Sequence, residues 1–198
     1  MNLPNKITVA RIILAVTILV LLIFPWYQVG VEFPKYVISG NIVVDLKYLI
    51  AGVLFIIASV TDFVDGHLAR KNNMVTDFGK VMDAIADKIL VNGLLVILAC
   101  NGFISIVVPV VIITRDIFVD SIKMVAGSKK GAVGASMAGK IKTICMMVGL
   151  SLVLFYNLPF ELWSIRVADI LILAATVLSV ISGCQYYIEN KELVFKDK

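Results

Sequence analysis

The stretch Tyr48–Thr61, YLIAGVLFIIASVT, contains no charged residue and is followed at once by the two aspartates of DFVD, residues 62–65. Such a run is typical of a membrane helix, because a hydrocarbon core of about 30 Å needs roughly 20 helical residues. Similar uncharged runs lie at Ile12–Phe24, Ile89–Thr114, Thr143–Phe160 and Ile170–Ile188, the second of which breaks at Asn101-Gly102. We therefore predict an all-α membrane protein with six transmembrane helices, at 6–25, 46–71, 79–100, 103–125, 140–157 and 167–188.

The overall composition indicates the same class. Hydrophobic residues make up 60% of the 198 residues and charged residues 16%, against about 45–50% and about 25% in ordinary soluble domains. These values exclude a soluble globular domain, a disordered chain and a fibrous protein. We treat residues 1–198 as one membrane domain. The net charge of +4 favours an anionic leaflet or anionic substrates, and no nucleic-acid partner is expected, since no basic patch is interleaved with aromatic residues.

Lysine and arginine are distributed unevenly between the two sets of helix ends. Thirteen lie at one set of ends and three (Lys35, Lys47 and Arg166) at the other. The positive-inside rule then places both termini in the cytoplasm. The first apolar run lacks a small-residue cleavage site and no amphipathic Arg-rich segment precedes it, so we expect a multi-pass protein of a bacterial plasma membrane.

Four aspartates lie near the predicted cytoplasmic ends of the second and third helices: Asp62, Asp65, Asp83 and Asp87. Helical spacing puts the first two on one stripe with Gly66 and Ala69, and the other two on one stripe with Gly79. If the two helices are antiparallel neighbours, the carboxylates converge into a site for two divalent cations, which would bridge phosphate oxygens. Gly66 and Gly79 leave room for a ligand, and Arg70 suits phosphate.

Two other readings of these carboxylates are open. They could form interhelical salt bridges with Arg70, Lys80 and Lys88, although three cations do not match four anions. They could also form the pathway of a divalent-cation transporter, since intramembrane aspartates are common in transporters. A transporter would need polar residues that continue toward the outer face, and the outer halves of these helices lack them.

The segment from Asp62 to Asp87 resembles the signature of the CDP-alcohol phosphotransferases, D-x-x-D-G-x-x-A-R-x(8)-G-x-x-x-D-x-x-x-D, at every fixed position. Three further segments resemble the corresponding parts of the bacterial members that make phosphatidylglycerol phosphate. They are LPNKITVAR (residues 3–11), Arg115-Asp116 and the segment 135–143. Asp116 stands where those members usually have Glu. The resemblance implies a six-helix membrane transferase, often a homodimer, that uses Mg²⁺ or Mn²⁺. The expected donor is CDP-diacylglycerol, the acceptor sn-glycerol 3-phosphate, and the by-product CMP. Serine, inositol phosphate or a second lipid are the alternative acceptors within the family.

The expected roles follow from this resemblance and from the charges. Asp62, Asp65, Asp83 and Asp87 would bind metal, with Asp87 also the general base. The residues expected to contact the CDP group are Asn5, Thr8, Gly66, Ala69, Arg70, Thr76 and Gly79, although Asn5 could instead cap the first helix. The acceptor phosphate would meet Arg115, Lys140 and Lys142. The last two are about 200° apart on a helix, so regular geometry does not let both enter one pocket. Arg115 could instead pair with Asp120 or with a carboxylate of another helix.

Overall fold

Six α-helices make up most of the described chain. The computed structural model describes residues 3–38, 40, 42–71, 77–130 and 136–195, with side chains for 7–38, 40, 42–62, 79, 81–126 and 136–191. The helices are α1 (Leu3–Ile23), α2 (Leu46–Lys71), α3 (Asp77–Cys100), α4 (Val107–Lys130), α5 (Met137–Leu154) and α6 (Val167–Phe195). The six predicted helices are therefore confirmed as helices.

Five of the six helices differ from the prediction at one or both ends, and α2 alone has the predicted bounds. Helix α4 begins at Val107, later than the predicted start at 103, and continues to Lys130, beyond the predicted end at 125. Helix α5 begins at Met137 because Ser136 caps it, with the Ser136 hydroxyl accepting from the Gly139 amide at 3.1 Å. Helix α6 extends to Phe195, beyond the uncharged run that ends at Ile188, since charged residues at a helix end need not interrupt backbone hydrogen bonding.

A short β-hairpin between α1 and α2 is an addition that the sequence did not predict to a chain that is otherwise helical, as expected. Strand β1 (Lys35–Ile38) pairs antiparallel with β2 (Ile42–Asp45), in the register Lys35 to Asp45. The β-branched residues of these short strands favour this pairing. At its base, the Asp45 amide donates to the Tyr156 hydroxyl at 3.0 Å and the Asp45 side chain accepts from the Lys47 amide at 2.9 Å, so the hairpin is tied to α2 and to the chain after α5.

Helix α1 packs against both α2 and α3, and α6 packs against both α4 and α5. Direct contact between α2 and α3 is minor in the described part of the chain. Along their described length α2 and α3 are therefore joined chiefly through α1, and they approach each other at Asp62 and Asp83, which share Arg11. The two groups of three helices meet through α2 with α5 and α3 with α4.

Apolar side chains form both the core and much of the outer surface. Phe55, Leu94 and Leu150 are fully buried, whereas Ile106, Ile144 and Leu173 are 68%, 64% and 63% exposed. Among the described residues, α5 and the Val167–Lys191 part of α6 are long and apolar enough to cross a membrane, and Ile7–Ile23 is a shorter apolar helix. An outer surface of this kind suits contact with lipid.

The closest approach of α5 to α6 gives a test of the fold. A Cβ at Gly149 would lie 2.9 Å from Ile172 Cγ1 and 3.4 Å from the Ile172 amide nitrogen, and small residues allow such close helix packing. We expect Gly149→Leu to lower the unfolding free energy by about 1–3 kcal/mol through overpacking. Val148→Phe also enlarges a side chain, on an exposed face of the same helix, and is the control. Thermal unfolding in detergent measures both, and equal midpoints would contradict the packing described.

Candidate active site

The side chain of Arg11 joins α1 to the carboxylates of α2 and α3. Its Nη1 atom donates to Asp62 Oδ1 and, at 2.5 Å, to Asp83 Oδ1. Arg11 is 4% exposed, whereas both carboxylates keep part of their surface open. One buried guanidinium thus lets two aspartates from different helices lie side by side, since charge-assisted hydrogen bonds offset part of their repulsion.

Sequence reasoning missed the role of Arg11, because it counted this residue only as evidence of membrane orientation. The available signal was a charge on a helix that is otherwise apolar, which is costly unless a partner is present. The salt-bridge alternative did not include Arg11, and of the three cations that it named only Lys88 has a described side chain. Lys88 pairs with Asp120 of α4 instead of the signature aspartates, and the side chains of Arg70 and Lys80 lie outside the described residues.

Asp87 lies one turn beyond Asp83 on α3 and lines a pocket of about 40 Å³. The other charged residues around this pocket are Lys88, Asp116 and Lys142, and its remaining walls are Val91, Asn92, Thr143, Met146 and Met147. Asp87 is half-buried, so a proton acceptor on α3 faces a small cavity that α3, α4 and α5 enclose. Only a hydroxyl group or a few water molecules fit in such a volume.

Asp116 is the centre of a second ionic cluster, which connects α4, α5 and α6. Its Oδ1 accepts from Arg115 Nη1 at 2.9 Å and from Lys142 Nζ at 2.8 Å, and its Oδ2 is 3.2 Å from the same Nζ. Arg115 also donates to the Ser179 carbonyl at 2.9 Å and to the Ser182 hydroxyl at 2.5 Å. Asp116 therefore holds both cations in place.

The structure separates the three predicted acceptor cations. Lys142 is 9% exposed and faces the pocket, whereas Lys140 is exposed on another face of α5, as their angular separation predicted. Arg115 points between α4 and α6 and binds Asp116 instead of Asp120, so the predicted alternative pairing with Asp120 was wrong. The sequence did not reveal Asp116 as the common partner of Arg115 and Lys142.

The residues expected to contact the CDP group are only partly described. Thr8 is buried on α1, one turn before Arg11, and Gly79 lies in the first turn of α3. Helix α1 begins at Leu3, so Asn5 belongs to its first turn and not to the N-cap that the capping alternative required. The described residues do not include Thr76 or the side chains of four others, Asn5, Asp65, Ala69 and Arg70. The surroundings of Gly66 are likewise not described.

The oxygen chemistry of the site suits a hard divalent cation. Asp62, Asp83 and Asp87 supply carboxylate oxygens, which Mg²⁺ prefers, and the first two are already close enough to share one cationic group. Among the side chains that the structure describes, no set of three acidic, histidine or cysteine residues is arranged as a ready metal site. Asp65, the fourth candidate ligand, is outside that part of the chain.

Comparison with known proteins adds independent information. Residues 1–181 match the sequence model of the CDP-alcohol phosphatidyltransferase family. The chain is 40% identical over 193 residues to the CDP-diacylglycerol–glycerol-3-phosphate 3-phosphatidyltransferase of Bacillus subtilis, covering 96% of both chains. Proteins with the same name from Mycoplasma genitalium and Rickettsia bellii are 36% and 30% identical. Those matches cover 85% and 94% of this chain and 69% and 93% of the relatives.

The Asp116 cluster makes a prediction about stability. The side chains of Arg115, Asp116 and Lys142 are 14%, 18% and 11% exposed, so Asp116→Asn leaves two poorly solvated cations without their carboxylate. We expect the unfolding free energy to fall by about 2–3 kcal/mol. The matched control is Asp120→Asn, one turn further along α4. It breaks a more exposed pair with Lys88 and is expected to cost less than about 1 kcal/mol. Thermal midpoints in detergent compare the two, and a larger loss for Asp120→Asn would contradict the assignment.

Proposed function

Since this chain belongs to the CDP-alcohol phosphatidyltransferase family, we propose that it transfers the phosphatidyl group of CDP-diacylglycerol to the C1 hydroxyl of sn-glycerol 3-phosphate. The products are phosphatidylglycerol phosphate and CMP. The observation that carries this proposal is the near full-length similarity to relatives named for that reaction. The intact signature and the pairing of Asp62 with Asp83 through Arg11 support the same reaction class.

The proposed cofactor is a pair of Mg²⁺ or Mn²⁺ ions held by Asp62, Asp65, Asp83 and Asp87. When bound, such ions would neutralise charge on the pyrophosphate of the donor. Arg11 contributes by keeping the Asp62 and Asp83 carboxylates at one point between three helices. Because Arg11 is buried and both carboxylates are partly exposed, their remaining oxygen surface is accessible to a ligand.

Asp87 is the proposed general base, which takes the proton of the attacking C1 hydroxyl. Its position supports this role because it lines the small pocket beside the carboxylates that Arg11 binds. The hydroxyl oxygen then attacks the phosphorus that carries the lipid, the pyrophosphate bond breaks, and CMP leaves.

The nucleotide is proposed to lie along the start of α1 and the facing ends of α2 and α3. Buried Thr8 and the first turn of α3 at Gly79 flank the carboxylates there. By resemblance, the remaining contacts come from Asn5, Gly66, Ala69, Arg70 and Thr76. Arg70 would add a bidentate donor for phosphate oxygens.

The acceptor phosphate is proposed to bind next to the Asp116 cluster. Of the three predicted acceptor cations, Lys142 is the one that lines the pocket, and Arg115 binds the same carboxylate. Two cations on one carboxylate leave a local excess of positive charge, which suits a phosphate dianion. Lys140, exposed on another face of α5, is the weakest of the three candidates and suits lipid headgroups.

We further propose that all six helices cross a bacterial plasma membrane, with both termini and the site on the cytoplasmic side, and that the chain forms a homodimer. The uneven distribution of lysine and arginine supports this orientation, and the exposed apolar side chains support contact with lipid. The homodimer rests on the family resemblance. Cysteine-accessibility labelling of engineered loop residues tests the topology, and cross-linking in membranes tests the dimer.

The direct test incubates the purified protein with CDP-diacylglycerol, glycerol 3-phosphate and Mg²⁺ and measures CMP. Release of CMP only when both substrates are present supports the proposal. Competition with serine, inositol phosphate or a second lipid identifies the acceptor. A protein that moved divalent cations and released no CMP would support the transporter alternative instead.

Substitution of Asp87 tests the proposed base. We expect Asp87→Asn to lower turnover by about 10²–10⁴-fold, the usual loss when a general base is removed, with little change in donor affinity. Asp169→Asn makes the same chemical change at an exposed site in the first turn of α6 and should keep the normal rate. Steady-state kinetics and donor binding are measured for each variant. A large loss of donor affinity with normal turnover would make Asp87 a binding residue only.

Substitution of Lys142 tests the acceptor site. We expect Lys142→Gln to raise the KM for glycerol 3-phosphate about ten- to a hundredfold, the loss of one charge-assisted phosphate contact. The KM for CDP-diacylglycerol should change little. Lys123→Gln removes a cytoplasmic-side lysine that lies over the Tyr186 ring, outside the pocket, and is the control. If Lys142→Gln weakens only the donor, the acceptor phosphate binds elsewhere.

A further inference from the structure

Asn92 is a polar side chain in an otherwise apolar part of α3. It lies four residues after Lys88, on the same face of the helix, and lines the pocket that also contains Asp87 and Lys142. The residues that follow it up to Cys100 carry no charged or amide side chain. None of the roles assigned above uses Asn92.

The other described asparagines all hydrogen-bond to the protein. Asn101 and Asn190 donate to the carbonyls of Ile97 and Tyr186 at 2.7 and 2.9 Å, one turn earlier on their own helices. Asn157 binds Ala168 N, Ile165 O and Glu161. Within the described part of the chain, the half-buried Asn92 amide makes no such bond, although its own helix offers the Lys88 carbonyl.

An amide that faces a pocket without a protein partner costs free energy unless water or a ligand satisfies it. In a helix of this apolar character, such a group is a candidate functional residue. The pocket narrows the choice of ligand. Its volume of about 40 Å³ admits a hydroxyl-bearing carbon but not a phosphate group as well. Its charged walls are two carboxylates and two ammonium groups, so its formal charge is balanced and a neutral group fits best.

We propose that Asn92 is a specificity-determining residue whose amide hydrogen-bonds the C2 hydroxyl of the acceptor. This inference rests on the proposed function, because the C2 hydroxyl neighbours the C1 hydroxyl that Asp87 deprotonates. An amide offers both a donor and an acceptor, and a hydroxyl group can use both. Asn92 therefore selects an acceptor with a second hydroxyl next to the attacking one.

The test compares glycerol 3-phosphate with 3-hydroxypropyl phosphate, which lacks only the C2 hydroxyl. The wild-type protein should prefer glycerol 3-phosphate by roughly tenfold or more in kcat/KM, because the analogue leaves the amide unsatisfied. In Asn92→Leu, kcat/KM for glycerol 3-phosphate should fall to nearly that of the analogue, and the value for the analogue should not fall. Asn92→Ala, a smaller change, should give the same loss of preference.

The control is Asn101→Leu, the same substitution in the turn that follows α3. The Asn101 amide donates to the Ile97 carbonyl and lies outside the pocket, so this variant should keep the wild-type preference. Thermal midpoints in detergent verify that each variant is folded. An unchanged preference in the Asn92 variants, or an equal loss for both acceptors, overturns this inference while leaving the proposed function intact. If the wild type releases no CMP with glycerol 3-phosphate, the proposed function fails and this inference fails with it.

Discussion

The arrangement of α1, α2 and α3 depends on the buried guanidinium of Arg11. Asp62 and Asp83 belong to different helices, and without a cation between them their repulsion would drive the helix ends apart. Arg11 supplies that cation from a third helix. This geometry lets two of the signature aspartates meet, although in the described part of the chain α2 and α3 are joined chiefly through α1.

The other three helices are joined by a second ionic cluster, in which the central residue is an anion instead of a cation. Around Arg11, a single cation holds carboxylates of two helices, whereas Asp116 is a single carboxylate that holds cations of α4 and α5. Arg115 extends this second cluster to α6 through Ser179 and Ser182. Asp116 and Lys142 of this second cluster line the pocket that also contains Asp87, and Asp87 lies one turn from Asp83 of the first cluster.

Much of this architecture could be predicted from local sequence, and the failures share one physical cause. Uncharged runs fix helices because an apolar segment in lipid must satisfy its own backbone hydrogen bonds, and the separation of Lys140 from Lys142 follows from helical periodicity. Helix order in space depends instead on contacts between residues far apart in sequence. Arg11 lies 51 and 72 residues from Asp62 and Asp83, and Lys142 lies 26 residues from Asp116. The β-hairpin was missed because strands of four residues give too short a pattern to stand out between long apolar helices.

The balance of charge within the site shows how two anionic substrates could bind side by side. On the side of α1 to α3, three described carboxylates, Asp62, Asp83 and Asp87, surround one guanidinium. That excess of negative charge would repel a pyrophosphate and therefore calls for added cations. On the side of α4 and α5, two cations share the Asp116 carboxylate, so a phosphate dianion needs no metal there. In the proposed mechanism, the fold thus separates a half that would take divalent ions from a half that supplies its own positive charge. The nearly neutral pocket lined by Asn92 lies where the two halves meet, which is where the attacking hydroxyl has to lie.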